Sequence, residues 1–309
     1  MPNYTPGEDQ ITFATEDLTL VHSDLITHGS RDAARWDAKY GANKVFSMLI
    51  ALRSRVLGTV DGHFDGLVLR NDTDADHDIE IGIGSCADSA NALIMRRTAV
   101  LTKQIDAAWA AGDDAGGFPT GLTLSNSTWY HVFLIQKTAD GTIDAGFDTS
   151  TSAANLLADA TGYSAYQCVG SVLTDGSANI VAFNQVGRHV FWKDPPLDVN
   201  VADLGTTAVL YALSVPPDYP VYAKCNFLFF RASAGALVYV SSPNANDEAP
   251  VGSAAGPLAS TIVQLATVQT LNDIHVLTNT SKQIRARADA ASSTFAVATL
   301  GWDYLRGRT

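Results

Sequence analysis

Residues 170–198, GSVLTDGSANIVAFNQVGRHVFWKDPPLD, constrain the fold more than any other stretch, because they spell three strands and two turns in plain residue chemistry. Asp175-Gly176 is a dipeptide that accepts the positive φ angles of a tight hairpin turn. It lies between the apolar Val172-Leu173 and the run Ile180 to Phe183. Val186-Gly187-Arg188 offers a second small turn, after which His189, Val190, Phe191 and Trp192 suit a pleated, half-buried surface. Asp194-Pro195-Pro196 stops the strand, since proline donates no N–H to a ladder and pushes the residue before it away from helical angles. The reading is a β-meander with marked ends.

Composition agrees with a β-rich globular chain. The 309 residues include 24 glycines and 11 prolines, which fits many turns between short strands, and they are enough for one large or two ordinary domains. A net charge of −12 argues against nucleic acid or an anionic lipid surface as partner, because phosphate binding needs a basic surface. Cys86, Cys168 and Cys225 are too few and too widely spaced for a disulfide framework or a CxxC metal site, and read as buried thiols. MPNYTPGEDQ lacks the basic start and apolar core of a signal peptide, and no window approaches a membrane span, so synthesis in a reducing cytoplasm without membrane insertion is expected.

Residues 1–28 hold Glu8, Asp9, Glu16, Asp17 and Asp24 and no Lys or Arg. They read either as an attachment arm that adds to another subunit or as a partly ordered tail. Residues 29–58 read as a helix: Ser30 can cap it, Gly58 can end it, and Ala38, Ala42, Val45, Leu49, Leu52 and Val56 follow a heptad seam. That helix fits a short trimeric coiled coil or a single amphipathic helix lying on a sheet. Its basic residues outnumber its acidic ones, so its charge could pair it with the arm.

From Thr59 onward the chain reads as a β domain over 59–309. Ile79, Ile81 and Ile83 alternate and are expected on one face of a strand. Asp72, Asp74 and Asp76 open what looks like a calcium loop, but the glycine and the bidentate glutamate that an EF-hand requires are replaced by His77 and Ile83. A solvated acidic turn and a cation site of another kind both stay open. Residues 92–112 read as strand followed by irregular chain, 113–127 as loop, and 148–160 as a small, polar surface loop. Trp129 to Lys137 is a strong strand, returning through Asp140-Gly141 into Thr142 to Phe147. Further short strands are expected at 208–215, 221–231, 237–240, 261–265, 274–277, 283–287 and 295–300. Such spacing predicts a mainly β protein, an antiparallel β-sandwich or jelly roll, preceded by the arm and the one α-helix.

The residues offer little chemistry. G-x-S-x-G, H-E-x-x-H, P-loop and G-x-G-x-x-G patterns do not occur, and the seven histidines are scattered singly. His131 and His189 read as hydrogen-bonded structural histidines in aromatic strands. Asp144, Asp148 and Asp194 are the carboxylates at loop ends that a glycosidase pair would need. Tyr163, Tyr166, Tyr219 and Tyr222 lie beside loops, where flat aromatic faces make platforms for sugars and protein partners. They are the candidate ligand-binding residues; no cofactor and no enzymatic activity are expected.

Four motifs in order, Trp129-Tyr130-His131, GSVLTDGSANI at 170–180, Phe191-Trp192-Lys193 and TLGWDYLRGR at 299–308, resemble uncharacterised virion proteins of tailed bacteriophages, of the fibre or spike type. The resemblance spans roughly residues 77–309. It implies a β-rich homotrimer in the virion, joined to other virion proteins through residues 1–57 and facing a host surface glycan or protein. A head-decoration, baseplate or tail protein that touches only other virion proteins is the alternative, and a polysaccharide depolymerase ranks below both.

Overall fold

A computed structural model of the chain describes residues 62–232, 236–251, 260–264 and 268–304. The arm at 1–28 and the helix at 29–58 lie outside the described residues. Within them the protein is mainly β, with sheets stacked as in a β-sandwich.

Two sheets come from the first part of the domain. One holds β1 (Phe64–Gly66), β4 (Gly84–Ala87) and β5 (Ile94–Arg97) in the order β1-β4-β5. The other runs β2 (Leu69–Asn71), β3 (Asp78–Ile81), β6 (Leu101–Ala108), β7 (Ala115–Phe118), with β6 and β7 parallel. A third sheet places β8 (Trp129–Lys137) between β10 (Tyr163–Leu173) and β9 (Ile143–Asp148). The largest sheet runs β11 (Phe183–Val186), β12 (His189–Trp192), β20 (Thr294–Asp303), β15 (Tyr222–Phe230), β18 (Val268–Leu277), with β13 (Leu197–Val201) also on β20. The last runs β14 (Val209–Ala212), β19 (Gln283–Ala288), β16 (Ala236–Ser241), β17 (Ser260–Gln264).

One continuous apolar core joins all five sheets. At its centre Trp129, Trp192 and Trp302 pack ring against ring, with centroids 5.9 Å, 5.5 Å and 5.1 Å apart for the three pairs. Three separated motifs thus meet in one aromatic cluster, each ring adding large buried area to it. The unbroken apolar run of β8 has a specific cause: Tyr130, Val132 and Leu134 face this core, while Phe133 and Ile135 face a second cluster on the opposite side. A strand covered on both faces carries apolar residues at every position.

What covers the second face corrects the expectation of a surface loop at 148–160. A short helix, α1 (Ala154–Asp159), lies there with Leu156 fully buried. Ala153 cannot cap it, and Asp148 does so from the end of β9: its Oδ2 accepts the Leu156 N–H at 2.9 Å and its Oδ1 the Asn155 amide at 2.8 Å. Gly146 permits the approach, because a Cβ there would sit 2.5 Å from Leu156 Cδ1. The segment is mostly small and polar apart from Leu156 and Leu157, too few apolar positions to show a helical period.

Other elements differ from expectation too. Residues 101–108 form β6 rather than irregular chain, and β7 occupies part of the expected loop at 113–127. Ile83 leaves the face of its two partners: β3 ends at Ile81, the Gly82 N–H bonds Val68, and Ile83 is 60% exposed while Ile79 and Ile81 are fully buried. Cys86 and Cys225 are buried as expected, but Cys168 is half-buried.

The 170–198 stretch divides between two sheets. Gly187 takes φ 58° and Val186 pairs with His189, so the expected small turn between β11 and β12 is closed over two residues, Gly187 and Arg188. The Asp175 turn differs. Asp175 N–H bonds Asn179 O at 2.8 Å, its Oδ1 accepts the Ser177 and Asn179 N–H groups, and the positive φ falls on Ala178 rather than Gly176. Beyond the single bridge Thr174–Ile180 the chain crosses from the β8 sheet to the β20 sheet, so the expected meander is a crossover between layers.

Candidate functional site

Of the four candidate tyrosines, the fold brings two together. Tyr166 and Tyr219 line a cleft of about 240 Å³ with Asp88, Asn91, Gln167 and Cys168 among its other walls. Tyr163 is 6% exposed and packs edge-on against Trp109, 5.7 Å between centroids. Tyr222 is 41% exposed but sits on the open face of the β20 sheet, outside the cleft.

The cleft is built by the turn after β4, the middle of β10 and the segment before β15. Ser89 N–H bonds Tyr166 O at 2.8 Å, and Ala87 N–H bonds His63 O at 2.8 Å, which ties the β4 turn to both neighbours. Packing fixes the two rings: Tyr166 stands edge-on to Phe133 at 6.0 Å, and Tyr219 edge-on to His131 at 5.2 Å. The Tyr219 hydroxyl donates to Thr151 O at 3.1 Å, and burial pushes its pKa up, so it stays protonated. His131 is buried behind it, with Nδ1 2.8 Å from Ser171 Oγ. Burial also holds its pKa below the usual histidine value, against the pull of Asp218, whose carboxylate is 3.5 Å from Nε2.

The acidic turn has its own internal bonding. Asp72 Oδ2 accepts from Thr102 Oγ1 at 2.7 Å. Asp74 Oδ2 is 3.0 Å from His77 Nδ1, and that bond lowers the pKa of the carboxyl and raises that of the imidazole. Asp76 is exposed, and no cluster of three or more metal-ligating side chains occurs among the described residues. Two of the three loop-end carboxylates are likewise used within the fold. Asp144 Oδ1 lies 3.2 Å from the ammonium of fully buried Lys103, whose pKa burial pushes down, and Asp148 caps α1. Asp194 is exposed.

A second group of side chains, which sequence reading missed, lies on the open face of the β20 sheet. Buried Asp303 is 2.6 Å from His189 Nδ1, 3.3 Å from Lys224 Nζ and 4.0 Å from His275 Nδ1. Lys224 Nζ also stands 4.6 Å over the Phe191 ring. The ladders His189–Asp303–Tyr222 and Phe191–Gly301–Lys224–His275 set these residues in adjacent rows, a placement that only strand pairing determines. Asp88, Asn91 and Gln167 in the cleft were missed for a similar reason: as isolated polar residues they carry no local signal.

No family model matches the chain, and no curated protein matches it. Among solved structures it is similar, at a TM-score of 0.18 and 12% identity over 83% of this chain and 79% of the other, to a chain in the structure of infectious bursal disease virus, Gx strain. A likeness at that level carries no argument about fold or function.

Proposed function

We propose that this chain is a structural subunit of a tailed-bacteriophage virion, a fibre or spike component that assembles as a homotrimer, attaches through residues 1–57 and contacts the host surface. The observation that supports the reading is the ordered set of motifs with that resemblance, whose Trp129, Trp192 and Trp302 pack in one cluster. Motifs scattered from 129 to 308 in sequence, whose tryptophans converge in space, act as one unit of fold. They are scaffold, so the host-facing role falls on surfaces around them, and the tyrosine cleft is a formed concavity available for it. No catalytic role is proposed.

The test is twofold. Antibody labelling of intact particles should place the chain in the virion, and purified protein should compete with particles for adsorption to host cells. Light scattering that finds a stable monomer at micromolar concentration would overturn the trimer. A second reading, a decoration, baseplate or tail protein bound only to other virion proteins, draws on one observation: Phe191, Leu197, Leu228 and Phe230 are exposed apolar residues on the open face of the β20 sheet. Particles that carry the protein, together with purified protein that binds no host strain, would favour it.

A further inference from the structure

We infer that the cleft between the turn after β4 and the middle of β10 is a recognition site for one neutral sugar ring, with Asp88 as its principal acceptor. The inference rests on the host-contacting reading for its biological sense, though its chemistry stands on the cleft alone.

Asp88 is 6% exposed and lines the cleft. Its Oδ1 is occupied by the Ala92 N–H at 2.7 Å and the Leu93 N–H at 2.9 Å. Its Oδ2 receives no hydrogen bond from the described residues. Asp88 lines the cleft, so a donor arriving there can take the carboxylate oxygen that the backbone leaves undonated. Other unused polar groups surround the same space. The Tyr166 ring lines the same space beside Tyr219, with which it interacts electrostatically. Gln167 uses only its amide N–H₂, in a long 3.5 Å bond to Cys168 O. Asn91 spends its Oδ1 on the Gly62 N–H at 3.0 Å and keeps its amide donors.

Donors and acceptors of this kind beside fixed tyrosine rings suit a polyol. A pyranose presents an apolar C–H face to an aromatic ring and hydroxyl pairs around its edge, and a carboxylate accepts from such hydroxyls in charge-assisted bonds. The rings of Tyr166 and Tyr219 are held by Phe133 and His131, so little ordering is needed on binding. Size agrees: about 240 Å³ is below the 300–1,000 Å³ range of pockets for drug-sized ligands, which leaves room for one sugar ring rather than an oligosaccharide. Sign decides the class of sugar. Among the described residues Asp88 is the one carboxylate in the lining and His63 its one titratable base, with no Lys or Arg, so an acidic or sulfated sugar would meet the Asp88 carboxylate without a permanent cation to offset it.

The experiment titrates the full-length protein by calorimetry and saturation-transfer NMR with a panel of neutral hexoses and N-acetylhexosamines, with N-acetylneuraminic acid, and with ethanolamine as an ammonium probe. Saturable binding of a neutral sugar is expected, with no measurable binding of the other two probes. Asp88→Asn should weaken that binding about tenfold, because it removes a charged acceptor while keeping the Oδ1 that holds Ala92 and Leu93. Tyr166→Ala should weaken it at least as much, and Gln167→Ala serves as the second polar variant if Asp88→Asn does not fold. Absence of binding by every neutral sugar, preference for N-acetylneuraminic acid or ethanolamine, or binding untouched by these variants would overturn the inference. Its failure is separable from that of the proposed function: a protein found on particles that binds no sugar loses the inference alone, and one that binds sugar but is missing from particles loses the virion reading alone.

Discussion

The β8 sheet and the β20 sheet share one core, yet they end in opposite ways. The β8 sheet is closed on its second side by α1 and a small apolar cluster of its own. The β20 sheet is described with its second side open, bearing both exposed apolar side chains and the Asp303 ion-pair group. A closed second face uses its residues for stability and for packing the cleft, since Phe133 and His131 of β8 stand edge-on against Tyr166 and Tyr219. An open face leaves residues available to a partner. The contrast teaches that candidate ligand chemistry and candidate assembly surface sit on different sheets.

That contrast can be broken experimentally, beginning where the effect is largest. Leu156→Ala should cost about 3 kcal/mol of unfolding free energy, because Leu156 is fully buried between α1 and the sheet and its loss leaves a cavity. A denaturant midpoint unchanged by it would mean that α1 does not close the second face. Lys224→Met should cost about 2 kcal/mol by leaving Asp303 buried beside two half-exposed histidines, and adding Asp303→Asn should recover part of the loss. Equal destabilisation by the single and double variants would show that Lys224 acts through packing alone.

A smaller effect is expected from His131, and its sign follows from burial. Its folded pKa lies below the unfolded value, so the unfolded chain takes up the proton first as pH falls. The associated stability is therefore fully present above about pH 6.5 and is lost as pH drops below it. Melting curves between pH 8 and pH 5 should fall more steeply for the native protein than for His131→Gln, and equal slopes would remove His131 from the account. The smallest effect is expected at Leu228 and Phe230, where substitution by Ser should change monomer stability by less than about 0.5 kcal/mol, since neither side chain is buried. If the open face is an assembly surface, the same two variants will instead lower the oligomer mass seen by light scattering.

Local chemistry made much of this protein legible. The Gly187 turn, the proline stop after Trp192, the Asp140-Gly141 return and the strand Trp129 to Lys137 each depend on neighbours in sequence, and each stands where the residues placed it. Tyr166 and Tyr219 were legible as candidates, for aromatic rings beside loops announce themselves. Features set by distant partners were not legible. Helix α1 has no apolar period and exists because Asp148 caps it and Gly146 lets it approach. The Asp175 turn looks like a hairpin in sequence, but the sheet that each flanking strand joins is chosen by pairing of β10 with β8 and, through β12, with the distant β20, which no dipeptide encodes. Asp88 gains its meaning from the walls around it, and Asp303 from Lys224 and His189 across two strand ladders. The sequence by itself determined that the described chain is β and where most of its strands and turns fall, because those depend on short-range sterics and hydrogen bonding. Tertiary structure alone decided which strands share a sheet, which face stays open and which polar groups meet, because each depends on burial against residues far away in the chain.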